Sequence, residues 1–207
     1  MPRSALRCLL AVAFLAAAPA AFAGQTMDLV FAERDFSALG QGPVRWHLTR
    51  TGPEVEGFQP LADGQLTLAL GADPDIGRPM LELRESGGGR ERLIARYPTA
   101  GMDPVLVYFL ETATRHMAAL AGGSPFYIRN RIKEALRRGG AVVDSPDGGR
   151  IVILSPFAGD RNADRMRGFD RLTLQIGLAP QPGAPIRSLE AEAPGTGYAF
   201  KLAGGGR

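Results

Sequence analysis

Two spacings of apolar residues divide this chain. In VRWHLTR, Val44, Trp46 and Leu48 fall on one side, and Arg45, His47 and Thr49 on the other. QLTLAL repeats the pattern with Leu66, Leu68 and Leu70. MLELRE and RERLIARY follow, separated by Ser86-Gly87-Gly88-Gly89. Alternation with a period of two, broken by glycine, predicts antiparallel strands with one face buried.

The period changes after Asp103-Pro104, where a carboxylate cap and a proline at the first helical position predict a helix start. Leu106, Phe109, Leu110, Ala113, Met117 and Leu120 recur at spacings of three and four, so they share one face. Glu111 and Arg115, four apart, can pair on the outer side. Gly122-Gly123 stops this helix, and Ser124-Pro125 starts another, with Ser124 as the expected cap. Its apolar side is Ile128, Ile132, Ala135 and Leu136, ending at Gly139-Gly140. Alternation then returns: AVVD, a turn at Pro146 to Gly149, RIVILSPF, RLTLQIGL, IRSLEAEA and GYAFKL. Tyr198, Phe200 and Leu202 form the inward side of the last strand.

Strands, two helices and strands again predict one α+β domain over residues 24–203, with a disordered tail at 204–207. The expected sheet is antiparallel and curved, a sandwich or a half-barrel, with a central two-helix hairpin.

The first residues have a separate logic. Arg3 and Arg7 precede an apolar run from Leu9 to Ala18, and Ala21-Phe22-Ala23 is a small-x-small site. This is the pattern of a signal peptide, residues 1–23, cleaved after Ala23. The run is shorter than the ~20 apolar residues a membrane span needs. Export to the periplasm or beyond is the expectation. Cleavage removes two arginines and no acid, leaving the mature chain nearly neutral, which argues against a nucleic-acid partner. It also removes Cys8, the single cysteine, so no disulfide, thiol nucleophile or thiolate ligand remains.

Candidate chemistry is sparse. Ser124 is not in the Gly-x-Ser-x-Gly motif of a nucleophile elbow, since residue 126 is Phe. His47 points away from the core, and His116 flanks the apolar side of its helix; the spacing of these two histidines suits neither a metal site nor a triad. Asp160, Asn162 and Asp164 imitate the start of a calcium loop, but Arg165 and Arg171 occupy positions that need Gly and Glu. Asp160 or Asp164 reads better as a cap in a solvated loop. Glu190 and Glu192 alternate on the wet side of a strand. No catalytic residue, metal site or cofactor is expected.

The second helix carries Arg129, Arg131, Lys133, Arg137 and Arg138 against one acid, Glu134. Arg137 and Arg138 complement the helix dipole. All five are candidate contacts for an anionic partner, at most a peripheral membrane surface or an acidic protein.

The block DPVLVYFLETATRHMAALAGGSPFYIRNRIKEAL, residues 103 to 136, resembles a family of uncharacterised exported proteins of proteobacteria. The resemblance implies an envelope location and no particular activity. The expected architecture is also similar in outline to periplasmic lipoprotein carriers and lipid-binding half-barrels. Leu106, Phe109, Leu110, Ala113 and Met117 are therefore candidate contacts for a lipid or other apolar ligand. The alternatives are an interaction protein that holds another envelope protein, and a periplasmic hydrolase.

Overall fold

The computed structural model describes residues 20–34 and 36–206. A helix, α1 (Ala20–Val30), comes first, followed by four strands: β1 (Val44–Thr51), β2 (Leu61–Ala72), β3 (Pro79–Gly87) and β4 (Arg90–Pro98). Helices α2 (Pro104–Ala121) and α3 (Pro125–Arg138) then lead into β5 (Ala141–Asp144), β6 (Arg150–Leu154), β7 (Thr173–Leu178), β8 (Ser188–Ala193) and β9 (Tyr198–Gly206).

All nine strands join one open antiparallel sheet in the order β4-β3-β2-β1-β9-β8-β7-β6-β5. Chain neighbours are sheet neighbours on both sides of the centre, where β1 pairs with β9 (Leu48 opposite Leu202). The two edges, β4 and β5, are the strands that α2 and α3 connect. The α+β antiparallel class read from the pattern therefore holds.

The alternation decides which face the helices cover. Trp46, Leu48, Leu66, Leu68, Leu81 and Leu83 on one half of the sheet are buried. So are Leu174, Ile176, Leu189, Ala191, Phe200 and Leu202 on the other. Phe109 of α2 stacks on Phe200 of β9 with ring centroids 5.4 Å apart. Burying side chains of this size contributes roughly 1.5–3 kcal/mol each. The opposite face is polar and carries ion pairs such as Arg96–Glu82 at 2.9 Å and Lys201–Glu190 at 2.6 Å.

Asp103 caps α2, accepting from the backbone N–H groups of Val105 at 2.9 Å and Leu106 at 3.4 Å. Gly122 closes α2 in the left-handed conformation, φ 74°, where a side chain would be strained. Glu111 joins α2 to α3: its Oε1 accepts from Arg129 at 2.9 Å and from Arg115 at 3.3 Å.

Several expectations change. Ser124 stands at the N-cap of α3 but makes no capping hydrogen bond through its hydroxyl. Leu70 keeps the phase of Leu66 and Leu68 yet is 48% exposed, because it borders a cleft that it lines with Arg34 and Phe36. Residues 204 to 206, expected in a disordered tail, extend β9, with Gly204 opposite Trp46 and Gly206 opposite Arg45. Gly204 has φ 127°, and an added Cβ there would come within 3.0 Å of the Arg45 carbonyl, so the ladder favours the glycine that reads as a flexible tail.

The expected signal segment lies mostly outside the described residues. Its cleavage point, Ala23, falls within α1. Downstream of that point, Val30 is buried in the core and Thr26 accepts a hydrogen bond from the backbone N–H of Gly140 at 3.1 Å.

Candidate functional site

Where the apolar lining of the helix-covered face ends, charged side chains continue it. The alternation Val44, Trp46, Leu48 reaches Arg50, past a bulge between Leu48 and Arg50. Leu81 and Leu83 are followed in phase by Glu85, and Arg92 is the cross-strand partner of Glu85. Three strands thereby bring Arg50, Glu85 and Arg92 to one end of the covered face.

Glu85 is the hub. Its side chain is 7% exposed. Oε1 accepts from Arg50 Nη1 at 3.0 Å, and Oε2 accepts from Arg92 Nη2 at 2.8 Å and from the Tyr108 hydroxyl at 2.8 Å. Burial pushes the carboxyl up, but the hydrogen bonds from Arg92 and Tyr108 and the charges of Arg50 and Arg92 outweigh it. The group sits below the ordinary carboxylate range and is ionised. Burial, reinforced by the Glu85 charge, raises the Tyr108 phenol, which remains a protonated donor. A carboxylate with three donors is committed to holding guanidinium groups in place and is a poor base.

Above this hub lies a cleft of about 740 Å³. One wall is the segment between β1 and β2, anchored by Phe58. The opposite wall is α2, through Thr112, Arg115 and His116. Arg90, at the glycine turn between β3 and β4, stands at the rim. Phe58 is buried edge-on against the His116 ring at 4.8 Å, and a Cβ at Gly52 would meet the Phe58 ring at 2.9 Å. The close approach of that ring therefore requires glycine at position 52.

His116 is buried, not at the boundary where its helix position suggests. Its Nδ1 lies 3.2 Å from the Tyr198 hydroxyl, and its ring also meets Phe200 edge-on at 5.2 Å. Burial, helped by the positive charge of Arg50 and opposed by Glu85, pushes its pKa down to about 4. The imidazole is neutral at physiological pH. The cleft thus carries four arginines, one glutamate and a neutral histidine.

The residues singled out by sequence are distributed elsewhere. Leu106, Phe109, Ala113 and Met117 are fully buried in the protein's own core, and Leu110 packs partly buried against it. Of the five cations on α3, Arg129 is held by Glu111, while Arg131 pairs with Glu134 at 2.6 Å and with Asp160 at 2.7 Å. Asp160 is a structural hub, also accepting from the Tyr127 hydroxyl and the backbone N–H of Asn162. Burial raises its pKa less than these donors and Arg131 lower it. Lys133, Arg137 and Arg138 remain exposed. His47 is exposed beside Asp63, 3.3 Å away. Ser124 is exposed, and neither it nor His47 lines the cleft.

Among the described residues no group of three His, Cys, Asp or Glu side chains is placed to hold a metal ion. Nor, among them, is any helix long and apolar enough to cross a membrane. No family model matches the chain, and no curated protein or solved structure is significantly similar to it.

Proposed function

We propose that this is an exported, non-catalytic binding protein of the cell envelope that holds its partner through arginine-bearing polar surface. One observation carries the reading: the cleft beside α2 is walled by guanidinium groups, while the apolar side of α2 is already occupied by the sheet. An acyl chain along Leu106, Phe109 and Met117 would have to displace the core. Glu85 is saturated by its donors and His116 is enclosed by aromatic rings, which favours binding over proton transfer. The strand order and the packing of α2 on β9 support an open half-barrel in which α2 lies across the covered face and the α2–α3 hairpin links the two edge strands. The cationic start, apolar run and Ala21-Phe22-Ala23 site support export.

The test is photo-crosslinking in intact cells, with probes at Arg90 and Arg138, combined with native mass spectrometry of the purified mature chain. A defined protein or small polar adduct supports the reading. A co-purifying lipid retained by the native protein and lost in Phe109→Asp would replace it with the carrier function. Fractionation that leaves the mature chain in the cytoplasm would remove the envelope assignment.

A further inference from the structure

The cleft has a composition that specifies a class of ligand. Arg50 and Arg92 are fixed on either oxygen of one carboxylate, so they lie close together with defined orientations. Arg115 stands on the helix wall, with its Nε directed to Glu111. Arg90 has no ion pair among the described residues and projects at the rim. Against four guanidinium groups the lining of the cleft offers one negative charge, from Glu85; Glu111, shared with Arg129, offsets part of the charge of Arg115, and the neutral His116 adds none.

Converging like charges are a cost to the unliganded protein and are offset by an anion. Guanidinium groups bind phosphate and carboxylate through paired N–H donors, a geometry that ammonium groups do not supply. Glu85 holds two of these forks in advance, so less side-chain freedom is lost when an anion arrives. The volume, about 740 Å³, falls within the range of ~300–1,000 Å³ that accommodates small molecules. Pro60 and Leu61 add a small apolar patch on one wall, enough for a short carbon skeleton.

We infer that the cleft between β1, β3, β4 and α2 binds a small polyanion, carrying phosphate or carboxylate groups and about two to three negative charges, on Arg50, Arg90, Arg92 and Arg115. The charge follows from the surplus of arginine over glutamate lining the cleft. This inference rests on the binding-protein reading and names the ligand class for it. Arg90 and Arg115 make the rim contacts, while Arg50 and Arg92 form the pre-set base.

The experiment is calorimetric titration of the full mature chain with pyrophosphate and with citrate at low salt, repeated on the double variant Arg90→Ser/Arg115→Ser. The wild type is expected to bind at least one of the two saturably, and the double variant at least tenfold more weakly. Affinity in the wild type falls as salt rises, with a shallower dependence in the variant. The unliganded variant keeps its circular dichroism and melts within a few degrees of the wild type, since relief of like-charge repulsion offsets the loss of the exposed Arg115–Glu111 pair and the weaker helix propensity of serine; a purely structural role for the pair would lower it well beyond that. A third arm uses vesicles of phosphatidylglycerol. Vesicle binding lost in the variant makes the lipid headgroup the source of the phosphate. Absence of saturable binding to all three probes, or equal binding by wild type and variant, overturns the inference. The broader reading is scored separately: a crosslinked partner that persists in a variant with no anion binding removes only the cleft ligand, and absence of any partner in the wild type removes the reading itself.

Discussion

The hydroxyl of Tyr108, on α2, donates to Oε2 of Glu85, on β3, at 2.8 Å, so the helix is tied to the sheet through the carboxylate that also anchors Arg50 and Arg92. Tyr108→Phe removes that one bond to a charged acceptor and is expected to cost about 1.5–3 kcal/mol. Glu85→Ala leaves the nearly buried Arg50 without its counter-charge and is expected to cost more, about 3–5 kcal/mol. Urea denaturation of the two variants measures both, and a Glu85→Ala cost below that of Tyr108→Phe would remove Glu85 from the centre of the network.

Acid should weaken the fold in two stages. His116 has a folded pKa near 4 against about 6.5 when unfolded, so the unfolded chain binds the extra proton first as pH falls. Stability is therefore lost progressively from pH 6.5 towards 4, by about 3 kcal/mol at the lower end. Glu85 acts in the same direction at lower pH: its depressed pKa stabilises the fold above the ordinary carboxyl value and ceases to as pH falls through the folded value. Asp103, raised by burial, opposes this slightly, because its protonation favours the folded state. In His116→Gln the slope between pH 6.5 and about 4.5 should flatten while the steeper loss below remains. Denaturation midpoints measured across this range make the comparison.

The two buttressed arginines of α3 should differ in worth. Arg129 pairs with Glu111 at a half-exposed site, and Glu111→Ala is expected to cost under about 1 kcal/mol. The Asp160 side chain is almost completely buried and serves Tyr127, Asn162 and Arg131 together. Asp160→Ala should cost about 2–4 kcal/mol, because it strands several donors at once. Thermal melts of the two single variants give the ranking directly.

Phe109 fills the contact between α2 and β9. Phe109→Ala should cost about 3–5 kcal/mol, from lost transfer energy and the cavity left against Phe200. Phe109→Leu, nearer in volume, should cost distinctly less. Equal small losses from both would mean that the space is not part of the tightly packed interior.

A chain beginning at Gly24 should fold as well as the full chain, since Thr26 and Val30 are retained. One beginning at Phe36 loses both, together with Arg34, whose guanidinium pairs with the buried Asp103 carboxylate at 3.9 Å. It should melt several degrees lower, as expected when roughly 1–2 kcal/mol of contacts is removed from a domain of this size.

The elements were legible where their periodicities are clean. Asp103-Pro104 and the two glycine pairs bracket α2 and α3, and β7 and β8 alternate cleanly, whereas β4, with a register shift opposite Leu83 and Arg84, does not. The apolar N-terminal run hid α1, since a helix continuing beyond Ala23 carries no cap or break that separates it from the export pattern. The cleft was legible only in part. Arg50 and Glu85 continue inward phases set by Leu48 and Leu83, and a charge at a core-facing position is the signal that could have found them. Their meeting depends on strand order, which no local pattern specifies. The α3 cations are dense in sequence, yet Arg129 and Arg131 are balanced by Glu111 and Asp160, which lie far from them along the chain.

Because the first and last strands stand side by side at the middle of the sheet, half of it must wait for the other. The β1 edge exposes its unmatched amide and carbonyl groups until residues 198 to 206 have been synthesised, so a partial chain cannot close its central seam. A nascent polypeptide lacking that last strand would hold two four-stranded halves with facing raw edges, open to mispairing with a neighbouring copy.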